Sequence, residues 1–208
     1  MPVHLFVRRD VARLALGAAC MVAAGPGHAD APKPVRVRAT IESVRDGTVT
    51  LTSRSGEKLT AALTGATSVV AIVSIRLEDI KPGSFIGSAA VPQADGTQRA
   101  LEVHVFPETM RGTGEGHRPF DLQPGSTMTN GTVGAVTGSV GRTLTVAYQG
   151  GEKTIVVPEN APVVTYEPGT RDLLVAGAHV ILMGTQTEDG KITATRIAVG
   201  KNGLVPPM

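Results

Sequence analysis

Residues 35–51 read VRVRATIESVRDGTVTL. Val35, Val37, Ala39 and Ile41 alternate with Arg36, Arg38, Thr40 and Glu42, the two-residue period of a half-buried strand. Asp46-Gly47 turns the chain into Thr48-Val49-Thr50-Leu51-Thr52, which completes a hairpin with one apolar face. Ser55-Gly56 turns it again into a strand over 58–63, and the β-branched run at 69–73 predicts a more deeply buried one. Residues 75–80, IRLEDI, read as a single helical turn stopped by Lys81-Pro82-Gly83. Residues 84–91 and 99–106 then pair across Ala94-Asp95-Gly96.

The second half of the chain repeats this pattern. Gly131-Thr132-Val133 aligns with Ala39-Thr40-Ile41, Thr143-Leu144-Thr145-Val146 with Thr48-Val49-Thr50-Leu51, and Gly151-Glu152-Lys153 with Gly56-Glu57-Lys58. Asp172-Leu173 follows Asp79-Ile80, Asp189-Gly190 follows Asp95-Gly96, and 194–199 follows 100–105. The offset stays between 92 and 95 residues, which marks an internal duplication. Each copy holds about 70 residues, five to six short strands and one helical turn. A flat sheet of that size would expose its edges and one apolar face, and closure removes both problems. The expectation is all-β: two tandem, OB-like β-barrels over 35–106 and 128–203, which support each other because small domains bury a modest share of their surface.

Between the copies, 107–127 has no counterpart in either. This Gly/Pro-rich connector holds Met110-Arg111-Gly112-Thr113-Gly114-Glu115-Gly116-His117-Arg118-Pro119. With the tandem pattern and the Asp-Ile-Lys-Pro-Gly turn at 79–83, it resembles an uncharacterised family of exported proteobacterial proteins that carry the domain of unknown function numbered 5666. The resemblance covers essentially the whole chain after its leader, and the connector is its most specific part. It implies a β-barrel fold and no established activity.

Residues 1–29 read as a signal peptide. Arg8, Arg9 and Arg13 precede an apolar stretch at 14–24, and Gly27-His28-Ala29 offers the small residues that signal peptidase needs. Eleven apolar residues are too few to cross a bilayer, which takes roughly 20, and no later stretch comes close, so the expectation is a periplasmic or secreted protein without a membrane span. Without the leader, Lys plus Arg falls from 20 to 17 and Asp plus Glu from 18 to 17, a neutral balance. The single cysteine, Cys20, goes with it, so no disulfide is expected. Neutral charge, no Trp and five remaining aromatic residues argue against nucleic acid, which calls for a basic groove and stacking rings. Residues 30–34 form a Pro-rich lead and 204–208 a tail, both expected to be flexible or weakly docked.

Groups able to do chemistry gather around the connector. His104 is expected on the polar face of its strand beside Glu102, with Glu108 four residues on. Glu115 and His117 flank Gly116, so an extended segment would project both to one side. Asp121 follows closely. Imidazole and carboxylate suit zinc or copper, and Met110 could add a thioether for copper, although no HExxH or paired CxxC spacing is present. Gly112, Gly114 and Gly116 lack the following helix and Lys-Ser/Thr of a phosphate loop. Their expected use is positive φ and close backbone approach, with Phe106, Phe120 and Leu122 anchoring the loop. No nucleophile elbow appears, and no His-Asp pair is placed to activate a nucleophile. The leading functional expectation is therefore a non-enzymatic binding or accessory protein, for a protein or small-ligand partner, with its site at the connector. The alternative is a divalent-metal-binding protein using His104, Glu108, Glu115, His117 and Asp121.

Overall fold

The computed structural model describes residues 31–137 and 142–208, and the expected signal peptide lies outside them. Among the described residues the protein is all-β, without a helix of seven or more residues and without one long and apolar enough to cross a membrane. The strands are β1 (Lys33–Arg45), β2 (Thr48–Ser53), β3 (Lys58–Ser74), β4 (Phe85–Pro92), β5 (Gln98–Ala100), β6 (Val103–Val105), β7 (Gly116–Pro119), β8 (Thr127–Thr137), β9 (Thr143–Tyr148), β10 (Gly151–Val156), β11 (Val163–Pro168), β12 (His179–Gln186) and β13 (Ile192–Gly200).

The β1–β2 turn forms as its residues dictate, with φ of 47° at Asp46 and 70° at Gly47, the left-handed pair that closes a two-residue hairpin. The two strands expected at 58–63 and 69–73 are one, β3, seventeen residues long. The helical turn expected at 75–80 is present as a 3-10 turn, Leu77–Asp79.

Strands β1, β2, β3, β13 and β12 close a five-stranded barrel. Neighbours are antiparallel, except that β13 runs parallel to β3 where the ring shuts, pairing Ile192 with Ala61 and Val199 with Ala71. Inside it pack Val37, Ala39, Ile41, Leu51, Leu182 and Ile197, the alternate residues that the pattern at 35–42 assigned to the buried face. The expectation of a barrel closed within 35–106 is not met. Three of the closed barrel's strands come from the first half of the chain and two from the second. The other strands lie outside it: β4 pairs with β5, β6 and β8, β8 with β9 and β7, β9 with β10, and β10 runs parallel to β5. Ile86, Val103, Val133, Leu144 and Ile155 form a second buried cluster there.

The physical reason is that strands of both halves alternate apolar and polar residues in the same way, so a strand of one half can complete a sheet begun by the other. The tail is docked rather than loose. Arg54 donates to the Pro206 carbonyl at 2.6 Å and Arg38 Nε to that of Met208 at 3.0 Å, and Met208 is buried with Ile72, Val164, Ile181 and Ala198.

Candidate functional site

In a sheet, residues in register point to the same face and successive residues to opposite faces. On the outside of the closed barrel, register aligns Arg36, Met183 and Arg196 in one row across β1, β12 and β13, and Arg38, Ile181 and Ala198 in the next. On the strands outside the barrel, His104, Gly87, Asn130 and Gly116 form a row across β6, β4, β8 and β7. These faces, with connector residues Met110, Thr113, Gly114 and Phe120, line a pocket of about 250 Å³.

Its floor is buried and its rim is charged. His104, Phe106, Met128, Asn130, Ala198 and Met208 are buried, whereas Arg36 and Arg118 are exposed and Arg196 is half-buried. No Asp or Glu lines the pocket. All four methionines among the described residues do, and thioether side chains are unbranched and polarisable, so they adapt to an occupant's shape.

The His104 face, expected to be the polar side of a strand, is covered. His104 is 3% exposed and Glu102 is fully buried, an arrangement that requires satisfied partners because an unpaired buried charge is costly. Glu102 Oε1 accepts the Ala89 N–H at 2.8 Å, and His104 Nδ1–H donates to Glu102 at 3.0 and 3.2 Å. A carboxylate can only accept, so Nδ1 carries the hydrogen, and in the neutral ring Nε2 is left as an acceptor. The ring stands edge-on to Phe106 at 4.7 Å and to Tyr166 at 6.0 Å, and Phe106 stacks on Tyr166 at 5.8 Å.

Asn130 donates from Nδ2 to the Thr113 carbonyl at 2.9 Å, which ties the connector to β8. Its Oδ1 is buried without a hydrogen-bond partner, which ordinarily costs about 1–3 kcal/mol. Burial, and then the charge of Glu102, push the Tyr166 hydroxyl up to about 12, with Arg196 and Arg36 acting in the opposite sense. It therefore keeps its proton as a hydrogen-bond donor close to two guanidinium groups.

The five residues considered as metal ligands do not converge. His117 is in register with Thr129 and Ser88, one step along from the row of His104, so the two imidazoles lie on opposite faces of the sheet. His117 Nδ1 shares a hydrogen bond with the Thr129 hydroxyl at 2.8 Å and stacks on Tyr148. Burial, and then Lys153, lower its pKa. Glu108 accepts from Arg111 at 2.5 and 2.8 Å, a bond that holds its pKa down. Glu115 accepts the Gln149 N–H at 3.0 Å. Asp121 takes a two-pronged bond from Arg38 at 2.8 and 3.1 Å, beneath Phe120, whose ring Arg36 and Arg38 flank at 5.4 and 5.6 Å. Among the described residues no three His, Cys, Asp or Glu side chains are placed to hold a metal. Of the expected ligands only His104 and Met110 reach the pocket.

The connector glycines do adopt positive φ, 82° at Gly112, 56° at Gly114 and 127° at Gly116, and Gly116 opens β7, a strand unforeseen in the connector. The sequence reading passed over Asn130, Tyr166 and Arg196. The signal available for Asn130 was a side-chain amide inside a strand of small and β-branched residues. No family model, curated protein or solved structure matches the chain.

Proposed function

We propose that the protein is an exported, non-enzymatic binding module whose site is the pocket beneath the connector. The observation that carries this reading is the Asn130 amide oxygen, buried and unpartnered at the floor of the pocket. A buried acceptor without a donor is tolerated where an occupant supplies one. The volume, just under the roughly 300–1,000 Å³ of drug-sized sites, fits a fragment-sized organic molecule.

The frame proposed for this site is an internal duplication in which two OB-like barrels exchange their last strands. The pairings β4–β5, β5–β10, β10–β9, β9–β8 and β8–β4 return to their start, as do those of the closed barrel. In each ring one parallel contact joins strands from different halves. This supports reading the pocket as the seam between two copies, formed only when both halves are present. Export follows from the leader at 1–29.

Titration with 2-naphthol, an uncharged ring with one hydroxyl, tests the site through the probe's own fluorescence. Saturable binding is expected in the parent, with loss in Ala198→Leu, which fills the floor. Ala198→Leu must keep its unfolding midpoint within a few degrees for that loss to count. Absence of binding in the parent, or equal binding in a folded Ala198→Leu variant, would overturn the assignment.

A further inference from the structure

The polar groups of the pocket are sorted by chemistry, and the sorting specifies an occupant. At the rim every charged group is a cation, and Tyr166 adds a neutral donor beside Arg36 and Arg196. Arg36 has one acidic neighbour, Asp121 at 3.9 Å, but that carboxylate is already engaged by Arg38 at 2.8 Å. Arg118 donates to the Gly114 carbonyl at 2.6 Å, and Arg196 makes no ion pair among the described residues. Planar guanidinium groups with free donors match a carboxylate, which they bind two-pronged.

The floor has the opposite character. Asn130 Oδ1 is an unpartnered acceptor, and His104 Nε2 becomes a second one once Nδ1 donates to Glu102. The two lie close together, since a Cβ on Gly87, for which there is no room, would stand 2.7 Å from Asn130 Oδ1 and closer still to His104 Nε2. Neighbouring acceptors at the end of the pocket call for a donor entering from it, such as a hydroxyl. Between rim and floor the surface is aromatic and thioether, from Phe106, Tyr166, Met128 and Met183, and sulfur and ring edges both favour contact with an aromatic ring.

We infer that the pocket takes a small phenolic acid, with its carboxylate at Arg36, Arg196 and Tyr166, its ring among the methionines, and its hydroxyl on Asn130 and His104. This rests on the pocket being the binding site. Both ends are needed: the acid is held by charge-assisted hydrogen bonds, and an analogue without the hydroxyl leaves buried acceptors unpaired.

Calorimetric titration of the protein with 4-hydroxycinnamate, cinnamate and methyl 4-hydroxycinnamate separates the two ends. The hydroxy acid is expected to bind tightest, with loss of either the hydroxyl or the charge weakening it by about tenfold or more. Arg196→Gln, folded by its unfolding midpoint, is expected to bring the acid down to the level of the ester. Equal binding of acid and ester in the parent, or of 4-hydroxycinnamate and cinnamate, would overturn the inference. If none of the three binds while 2-naphthol does, the phenolic acid is wrong and the pocket stands. If 2-naphthol fails too, both readings fall.

Discussion

Gly87 and His104 face each other across β4 and β6, and the imidazole occupies the space where any larger residue at 87 would carry its Cβ. The glycine is there for that side chain. Its backbone sits in a strand where other residues are at ease, so the requirement is room and not conformation.

Replacing Gly87 with Ala should therefore displace the ring or the strand. Overpacking of this kind costs about 1–3 kcal/mol. Denaturant unfolding is expected to show that loss, together with a weakened response to 2-naphthol. An unchanged midpoint and unchanged binding would mean that His104 moves freely, and that the floor of the pocket is not fixed.

Glu102 holds that floor from behind. Glu102→Ala removes the acceptor for both the Ala89 amide and His104 Nδ1, and a buried donor left unpaired costs about 1–3 kcal/mol. Destabilisation beyond the upper end of that range is expected, since two donors and the packing of the side chain are lost together. Gln in place of Glu102 keeps the volume and one accepting oxygen, so it should recover part of the loss. Equal stability of the Ala and Gln variants would show that the hydrogen bonds contribute nothing.

The closed barrel draws on both halves, so neither half should fold alone. Fragment 31–106 lacks β12 and β13 and leaves the edges of β1 and β3 unpaired, which exposes their backbone donors and acceptors. It is expected to show no cooperative thermal transition by itself and to gain one when mixed with fragment 107–208. A sharp transition for 31–106 on its own would contradict the exchange of strands between halves.

Asp121 pins the connector to β1 through Arg38, and that two-pronged bond, ahead of the weaker Coulomb attraction of Arg38 and Arg36, holds its pKa below the usual carboxylate range. Its folded value lies below its unfolded one. The stabilisation is therefore complete above the ordinary range near 4 and is lost as pH falls through the lower folded value. The group is largely exposed, so solvent screening keeps the effect small. Asp121→Asn is expected to lower stability slightly at neutral pH and to meet the parent at acid pH, which flattens the acid limb of the stability-versus-pH curve. Parallel curves for parent and variant would remove the Arg38 bond from the account.

Much of this structure was legible beforehand. The alternation at 35–42 named the residues that now line the barrel, Asp46-Gly47 named its turn, and the glycines at 112, 114 and 116 announced a backbone of positive φ. The candidate site was legible only in location. His104 and His117 belong to one short stretch rich in carboxylates, yet register turns them to opposite faces, and a one-residue difference in register decides that. Glu102 and His104 read as a wet polar face because alternation reports which side of a strand is polar, not what covers it.

The sequence by itself determined that this chain forms strands, where they turn, and which face of each is apolar, because those properties follow from residues two to four positions apart. Only the tertiary structure decided which strands close the barrel. Strands from both halves share the same apolar alternation, so the choice between partners depends on contacts far apart in the chain. The same choice brings Arg196, Met183 and Ala198 against His104 and Asn130, and so creates a pocket that neither half contains.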